Sequence, residues 1–208
     1  MRAAARWRLA PVLAVLALVA ACGPTVTIDG QTRTMPMGTT AAQAIEAQRL
    51  ADKMAAAPGE DRARLSTIAS STQTLTPLLS NSTARSYDIF HGSQVEYLAA
   101  DGTTQLWYPG NRGLVAGRWQ LRQTPRRIEV CFAYGPNTYN PATGSSGGDW
   151  ECSPARIYLL GLEELVPGDP LALRSGKLPF VLPKGKITIN DALRTAKKPA
   201  AGKNKISW

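Results

Sequence analysis

YDIFHGSQVEYLAADGTTQLWYPGNRGLVAGRW, residues Tyr87 to Trp119, is the stretch that decides the fold. Its polarity changes every second residue. Val95, Tyr97 and Ala99 share one side, and Gln94, Glu96 and Leu98 the other. That period belongs to strands, not helices. Asp101-Gly102 between two alternating runs is the strongest short hairpin signal. Leu106 and Tyr108 then alternate with Gln105 and Trp107, Pro109 to Gly113 forms a loop, and Trp119 and Leu121 alternate with Arg118, Gln120 and Arg122. Three strands joined by tight turns are predicted, holding two of the five tryptophans and the single histidine.

Downstream, Thr124-Pro125-Arg126 turns the chain, and Ile128, Val130, Phe132 and Tyr134 alternate best of all. Arg127 and Glu129 are expected to face water. Gly135 to Asp149 is a long glycine-rich loop, a length often associated with function. Arg156 to Leu160 reads as a further strand and Ile187 with Ile189 as the last one. Asn190 is expected to cap a short helix from Asp191 to about Lys197, and residues 196–208 form a basic tail expected to be disordered.

Upstream the period changes. Thr39 or Thr40 is placed to cap a helix running to about Ala57, before Pro58-Gly59. A second helix is expected from Glu60 to about Ser71, its acidic start suited to the positive end of the helix dipole. Two heptads are too few for a coiled coil, so residues 39–74 read as a helical hairpin packed on the domain. Thr76, followed by Pro77, is expected to cap a short turn from which Leu78 and Leu79 plug the core. The fold class is therefore α+β: N-terminal helices followed by a small twisted antiparallel sheet of about six strands, over residues 75–195, with one disulfide.

The first 21 residues read as a signal segment. Arg2, Arg6 and Arg8 precede an apolar run from Leu9 to Ala21, too short to span a bilayer as a helix. Val19-Ala20-Ala21-Cys22 resembles the bacterial lipobox. The resemblance implies cleavage before Cys22, its lipidation, and a tether over residues 22–38. Gly23 stands where an Asp would signal inner-membrane retention in many Gram-negative bacteria, so the outer membrane is expected. The formal charge of +9 falls to about +6 without the signal. That excess suits an anionic surface such as lipid head groups or a wall polymer. It does not indicate nucleic acid, because no basic helix or aromatic RNA-binding motif accompanies it.

Two cysteines remain, Cys131 and Cys152. In an oxidising compartment such a pair is expected to form a disulfide at the base of the glycine-rich loop. Neither a catalytic thiol nor a metal site is supported, since His91 is the one histidine available; no cofactor or metal is expected. His91 with Ser93 and Asp88 or Asp101 sketches a hydrolase only weakly, without a Gly-x-Ser-x-Gly elbow. Asp88, Glu96 and Asp101 are too scattered to argue a glycosidase pair. Trp107, Tyr108, Asn111, Arg112, Tyr139 and Trp150 are the candidates for a shallow site for sugar rings or peptide. The competing reading is core packing: Trp119 and Tyr108 fill the sheet, and Trp107 and Trp150 flank the disulfide.

The set His91-Gly92, Glu96-Tyr97, Asp101-Gly102, Trp107 to Asn111, Gly117 to Trp119, Cys131 to Pro141 and Trp150 to Cys152 is similar to short, uncharacterised envelope proteins of alphaproteobacteria. It covers roughly Leu75 to Tyr158. The resemblance implies a small secreted antiparallel domain with a disulfide and supplies no activity. The expected function is a lipid-anchored envelope protein that binds peptidoglycan or an envelope protein, without catalysis. The alternative is a wall or lipid hydrolase using His91.

Overall fold

Short-range hydrogen bonding accounts for the first elements. The computed structural model describes residues 25–28, 31–34, 45, 52, 59–140 and 144–197. Strands β1 (Thr25–Ile28) and β2 (Gln31–Thr34) pair antiparallel, with Ile28 opposite Gln31. The expected tether thus contains a hairpin. Asp29-Gly30 between the strands is the same sequence signal as Asp101-Gly102. The expected helix from Thr39 to Ala57 lies outside the described residues except for Ile45 and Asp52, both helical. Helix α1 spans Gly59–Ile68 and α2 spans Thr72–Leu79. The cap of α2 is Ser71, whose hydroxyl accepts from Gln73 N at 3.1 Å, and not Thr76. Pro77 therefore sits inside the helix. Leu75 and Leu79, one turn apart, are fully buried, while Leu78 is exposed.

The alternating runs become one antiparallel sheet. Its strands are β3 (Ser82–Asp88), β4 (Gly92–Leu98), β5 (Thr103–Trp107), β6 (Val115–Gln123) and β7 (Ile128–Tyr134). A small hairpin, β8 (Tyr139–Asn140) with β9 (Ser145–Ser146), follows. Then come β10 (Glu151–Pro154), helix α3 (Ala155–Gly161) and β11 (Leu162–Pro167). The spatial order is β10-β7-β6-β5-β4-β3-β11, seven strands with every pair antiparallel.

Residues 156–160, expected as a strand, form α3 instead. Short apolar runs do not distinguish strand from buried helix; the connection does. Helix α3 joins one edge strand, β10, to the other, β11. Laid flat, seven strands would hold those edges about 29 Å apart, whereas a seven-residue helix rises only about 10 Å. The sheet is accordingly curled into a half-barrel, with α3 across its opening.

The two faces are covered differently. Leu75 and Leu79 of α2 and Ala155 of α3 pack on the concave face against Ala84, Leu98, Trp119 and Val130. The convex face carries Val95, Tyr97, Ala99 and Trp107, covered by Leu171, Leu173, Leu182 and Ile189 from the C-terminal segment. That segment holds no strand at Ile187 and Ile189. Ile189 opens helix α4 (Ile189–Lys197), and the cap is Thr188, not Asn190. Thr188 and Asp191 bond reciprocally, Asp191 N donating to Thr188 Oγ1 at 3.0 Å and Thr188 Oγ1 to Asp191 Oδ2 at 2.6 Å. The segment lies so close to the sheet that a Cβ at Gly92, whose φ is +82°, would stand 2.1 Å from Lys184 O.

Glu129, expected to face water, is 5% exposed and lies between Arg122 and Arg127 at 2.7 and 2.9 Å. Guanidinium hydrogen bonds, Arg122's foremost, hold its carboxyl below the usual range. Cys131 in β7 and Cys152 in β10 are direct Cα partners and form the disulfide. It fastens edge strand β10 and the base of the glycine-rich loop.

Candidate functional site

Alternation in β4 sends Val95 and Tyr97 outward and Gln94, Glu96 and Leu98 into the concavity. Glu96 stands opposite Ala84 on one side and Leu106 on the other. A carboxylate thus shares a face with the concave core. Tyr134 Oη donates to Glu96 Oε1 at 2.6 Å, and Thr104 Oγ1 lies 2.8 Å from the same oxygen. The Thr104 hydroxyl, with its single proton, also lies 2.9 Å from Tyr97 O.

The Tyr134–Glu96 bond depends on the curl and on a glycine. β7 and β4 are three strands apart, about 14 Å on a flat sheet. Curling shortens that path on the inside. Tyr134 is paired with Gly117 of β6, where a Cβ would meet the tyrosine ring at 2.7 Å. Only glycine lets the ring lie across β6 and point at Glu96.

Burial pushes the Glu96 carboxyl up to about 7, and the hydrogen bonds from Tyr134 and Thr104 only partly oppose it. Burial, reinforced by the Glu96 charge, also holds the Tyr134 and Tyr158 phenols well above their ordinary value. The Tyr158 hydroxyl, delivered from α3, is buried without a hydrogen-bond partner.

These groups line a two-chambered cleft. The inner chamber, about 260 Å³, is bounded by Gln94, Glu96, Tyr134 and Tyr158, with Ser86 and Asp88 of β3. The outer chamber, about 500 Å³, has a floor of Leu106, Val115 and Phe132 and walls that include Tyr108, Asn111, Tyr139 and Glu151. Gln94, Leu106 and Tyr134 border both. Among the described residues, the charged ones lining them are Asp88, Glu96, Asp149 and Glu151, with no Lys, Arg or His.

The glycine-rich loop forms one wall and is pinned to the sheet. Gly148 N donates to Tyr134 O and Gly147 N to Thr138 O, both at 2.9 Å. A Cβ at Gly147 would meet Thr138 Oγ1 at 2.1 Å.

The sequence candidates are distributed unevenly. Tyr108, Asn111 and Tyr139 come together around the outer chamber. Arg112 and Trp150 are exposed and line neither chamber. Trp107 is fully buried on the convex side, its Nε1 donating to Phe180 O at 3.1 Å and its ring edge-on to Phe180. It packs in the core, away from the cleft.

His91 Nδ1 lies 2.9 Å from Tyr108 Oη, in a turn where Asp88 Oδ1 accepts from Phe90 N and His91 N. The Ser93 hydroxyl faces the other way and accepts from Ile187 N at 3.0 Å. Cys22 lies outside the described residues. Glu129, Cys131 and Cys152 cluster at metal-ligand distances, but the two sulfurs are bonded to each other.

Glu96, Tyr134, Tyr158 and Glu151 were not singled out as a set by the sequence. The available signal was the side shared by Glu96 with Leu98 and Leu106, a charge on an apolar face. No family model, curated protein or solved structure matches the chain. Fold and site together define a curled antiparallel-sheet protein with an acid-lined cleft.

Proposed function

We propose that the chain is a lipid-anchored protein of the cell envelope that binds a segment of wall polymer in the cleft without catalysing a reaction. The observation that carries this reading is the outer chamber. It combines tyrosine rings, amides and hydroxyls over an apolar floor, and its loop wall is tied down by a disulfide. Such a concave mixture suits sugar rings or a peptide stem better than a flat protein surface. The disulfide fits an oxidising compartment outside the cytoplasm. Among the described residues no helix is long and apolar enough to cross a membrane. The anchor itself rests on the lipobox resemblance at Cys22. The acids of the cleft disfavour phosphate, which argues against nucleic acid. The hydrolase alternative weakens because the Ser93 hydroxyl is engaged by Ile187 on the opposite face from the cleft.

The test is a pull-down of the full chain, in detergent, with purified sacculi across a salt series. Wild type is compared with Tyr139→Ala, which removes an exposed cleft ring, and with a chain lacking residues 198–208. Retention at high salt that falls several-fold in Tyr139→Ala supports the cleft. Binding lost with salt or with the basic tail alone overturns it in favour of diffuse charge attraction. Release of soluble wall fragments would overturn the non-enzymatic part. No binding at all would redirect the search to an envelope protein, by crosslinking.

A further inference from the structure

The inner chamber is lined by a half-buried carboxyl and by a hydroxyl that the fold leaves unsatisfied. Both hydrogen bonds that the described residues make to Glu96 fall on Oε1. The Tyr158 hydroxyl is buried without a partner in the same chamber. Burying a hydroxyl unpaired costs free energy. Glu96 and Tyr158 line the same chamber.

The surroundings select the ligand that would satisfy both. In a chain with 24 Lys and Arg against 15 Asp and Glu, the charged residues that line the two chambers are, among the described residues, all acids. Asp88 is already engaged, Oδ1 in its turn and Oδ2 toward Gln94 at 3.5 Å. Glu96 is therefore the acid at the inner end with an oxygen that takes no hydrogen bond from the described residues. An anion would be repelled. A neutral hydroxyl offers one donor and no charge. An ammonium offers three donors and the opposite charge, matching a carboxylate oxygen and the lone pairs of a phenol.

On the reading that this cleft is the ligand site, we propose that the inner chamber is a subsite for a protonated primary amine. The amine is held by Glu96 Oε2 and Tyr158 Oη beside the ring of Tyr134, and the remainder of the ligand occupies the outer chamber. Among the described residues, the titratable groups lining the cleft around Glu96 are Tyr134 from β7, Tyr158 from α3, Tyr87 and Asp88 from β3, Tyr108, Tyr139 from β8, and Asp149 with Glu151 at the outer end. The group among them raised to near neutrality is Glu96.

The test is calorimetric titration of the full chain in detergent with 1,5-diaminopentane, 1,5-pentanediol and glutarate, at pH 6 and pH 8. The diamine should bind, and the diol and dicarboxylate at least about tenfold more weakly. Diamine affinity should rise about tenfold from pH 6 to pH 8, as Glu96 goes from about one-tenth to about nine-tenths ionised. Glu96→Gln, checked by circular dichroism for an unchanged fold, should lose about tenfold at pH 8 together with the pH dependence. Tyr158→Phe, which deletes one oxygen, should weaken binding several-fold and serves as the second variant if Glu96→Gln fails to fold. Equal affinity for diol and diamine, or a Glu96→Gln protein that binds the diamine as wild type does, overturns the proposal. Sacculi bound through Tyr139 with no diamine binding would sink the amine subsite and leave the wall reading standing. Diamine binding with sacculi rejected would support the subsite and overturn the wall reading.

Discussion

Replacing Glu96 by Gln should stabilise the protein, and by an amount that depends on pH. The carboxyl titrates near 4.5 when unfolded and near 7 in the fold. Between those values the folded state keeps a proton that the unfolded state has released. Stability therefore falls as pH rises through that window, and the full cost remains above 7. The difference of about 2.5 pKa units corresponds to about 3 kcal/mol. Gln has the shape of the protonated acid and keeps an oxygen for Tyr134 and Thr104, so the variant avoids that loss. Carboxylates shifted the other way do not obscure the effect. Asp101 is held low by Thr103, Glu129 by Arg122 and Arg127, and Asp191 by Thr188. Their contributions are complete above the unfolded values and are lost only as pH falls below them. The assay is urea unfolding of both proteins, followed by tryptophan fluorescence, at half-unit steps from pH 4.5 to pH 8. The stability difference should grow in favour of Glu96→Gln by about 3 kcal/mol across the window. A difference independent of pH, or one growing in favour of wild type, would refute the placement of Glu96 as a half-buried, under-compensated carboxyl.

Gly92→Ala should destabilise the fold by at least about 2 kcal/mol in thermal melts, because φ is +82° and the new Cβ would lie 2.1 Å from Lys184 O; a neutral result would mean that the C-terminal segment does not approach the sheet there. Tyr158→Phe should leave stability unchanged or raise it by about 1 kcal/mol, since it removes a buried hydroxyl without a partner; a clear loss in urea unfolding would reveal a bond to that hydroxyl. The double substitution Cys131→Ser with Cys152→Ser opens a loop closed across a separation of 21 residues and should cost about 3 kcal/mol, which reductant should reproduce in wild type and not in the variant.

Much of the sheet was legible because strands announce themselves locally. The sides assigned to Val95, Tyr97 and Ala99 and to Gln94, Glu96 and Leu98 follow from a period of two. Asp101-Gly102 reads as a turn before any partner strand is known. Capping was partly legible: Thr188 with Asp191 has the spacing of a reciprocal box, and Asn190 drew the cap because a short polar residue before Asp191 looks equally competent. The strand expected at residues 156–160 failed because Ile157, Tyr158, Leu159 and Leu160 are apolar throughout, and a run without alternation has no intrinsic direction.

The candidate site was less legible for the same reason. Tyr108, Asn111 and Tyr139 were chosen for their chemistry and do meet. Trp107 was chosen on the same grounds and lies behind the sheet, since one step along a strand exchanges cleft for core. Glu96 and Tyr134 are 38 positions apart, and nothing local to either predicts their bond.

By itself, then, the sequence determined the alternating strands, the tight turns, the helix over residues 59–68 and the cysteine pair, because each depends on interactions within a few residues or on simple compartment chemistry. Tertiary structure alone decided the curl, which the seven residues of α3 impose by joining opposite edges of a seven-stranded sheet. It also decided the second layer that buries Trp107 and the meeting of Glu96, Tyr134 and Tyr158. The physical reason is that curvature belongs to the whole sheet. It brings groups three strands apart within hydrogen-bond reach and removes water from a carboxylate whose neighbours in sequence give no sign of it.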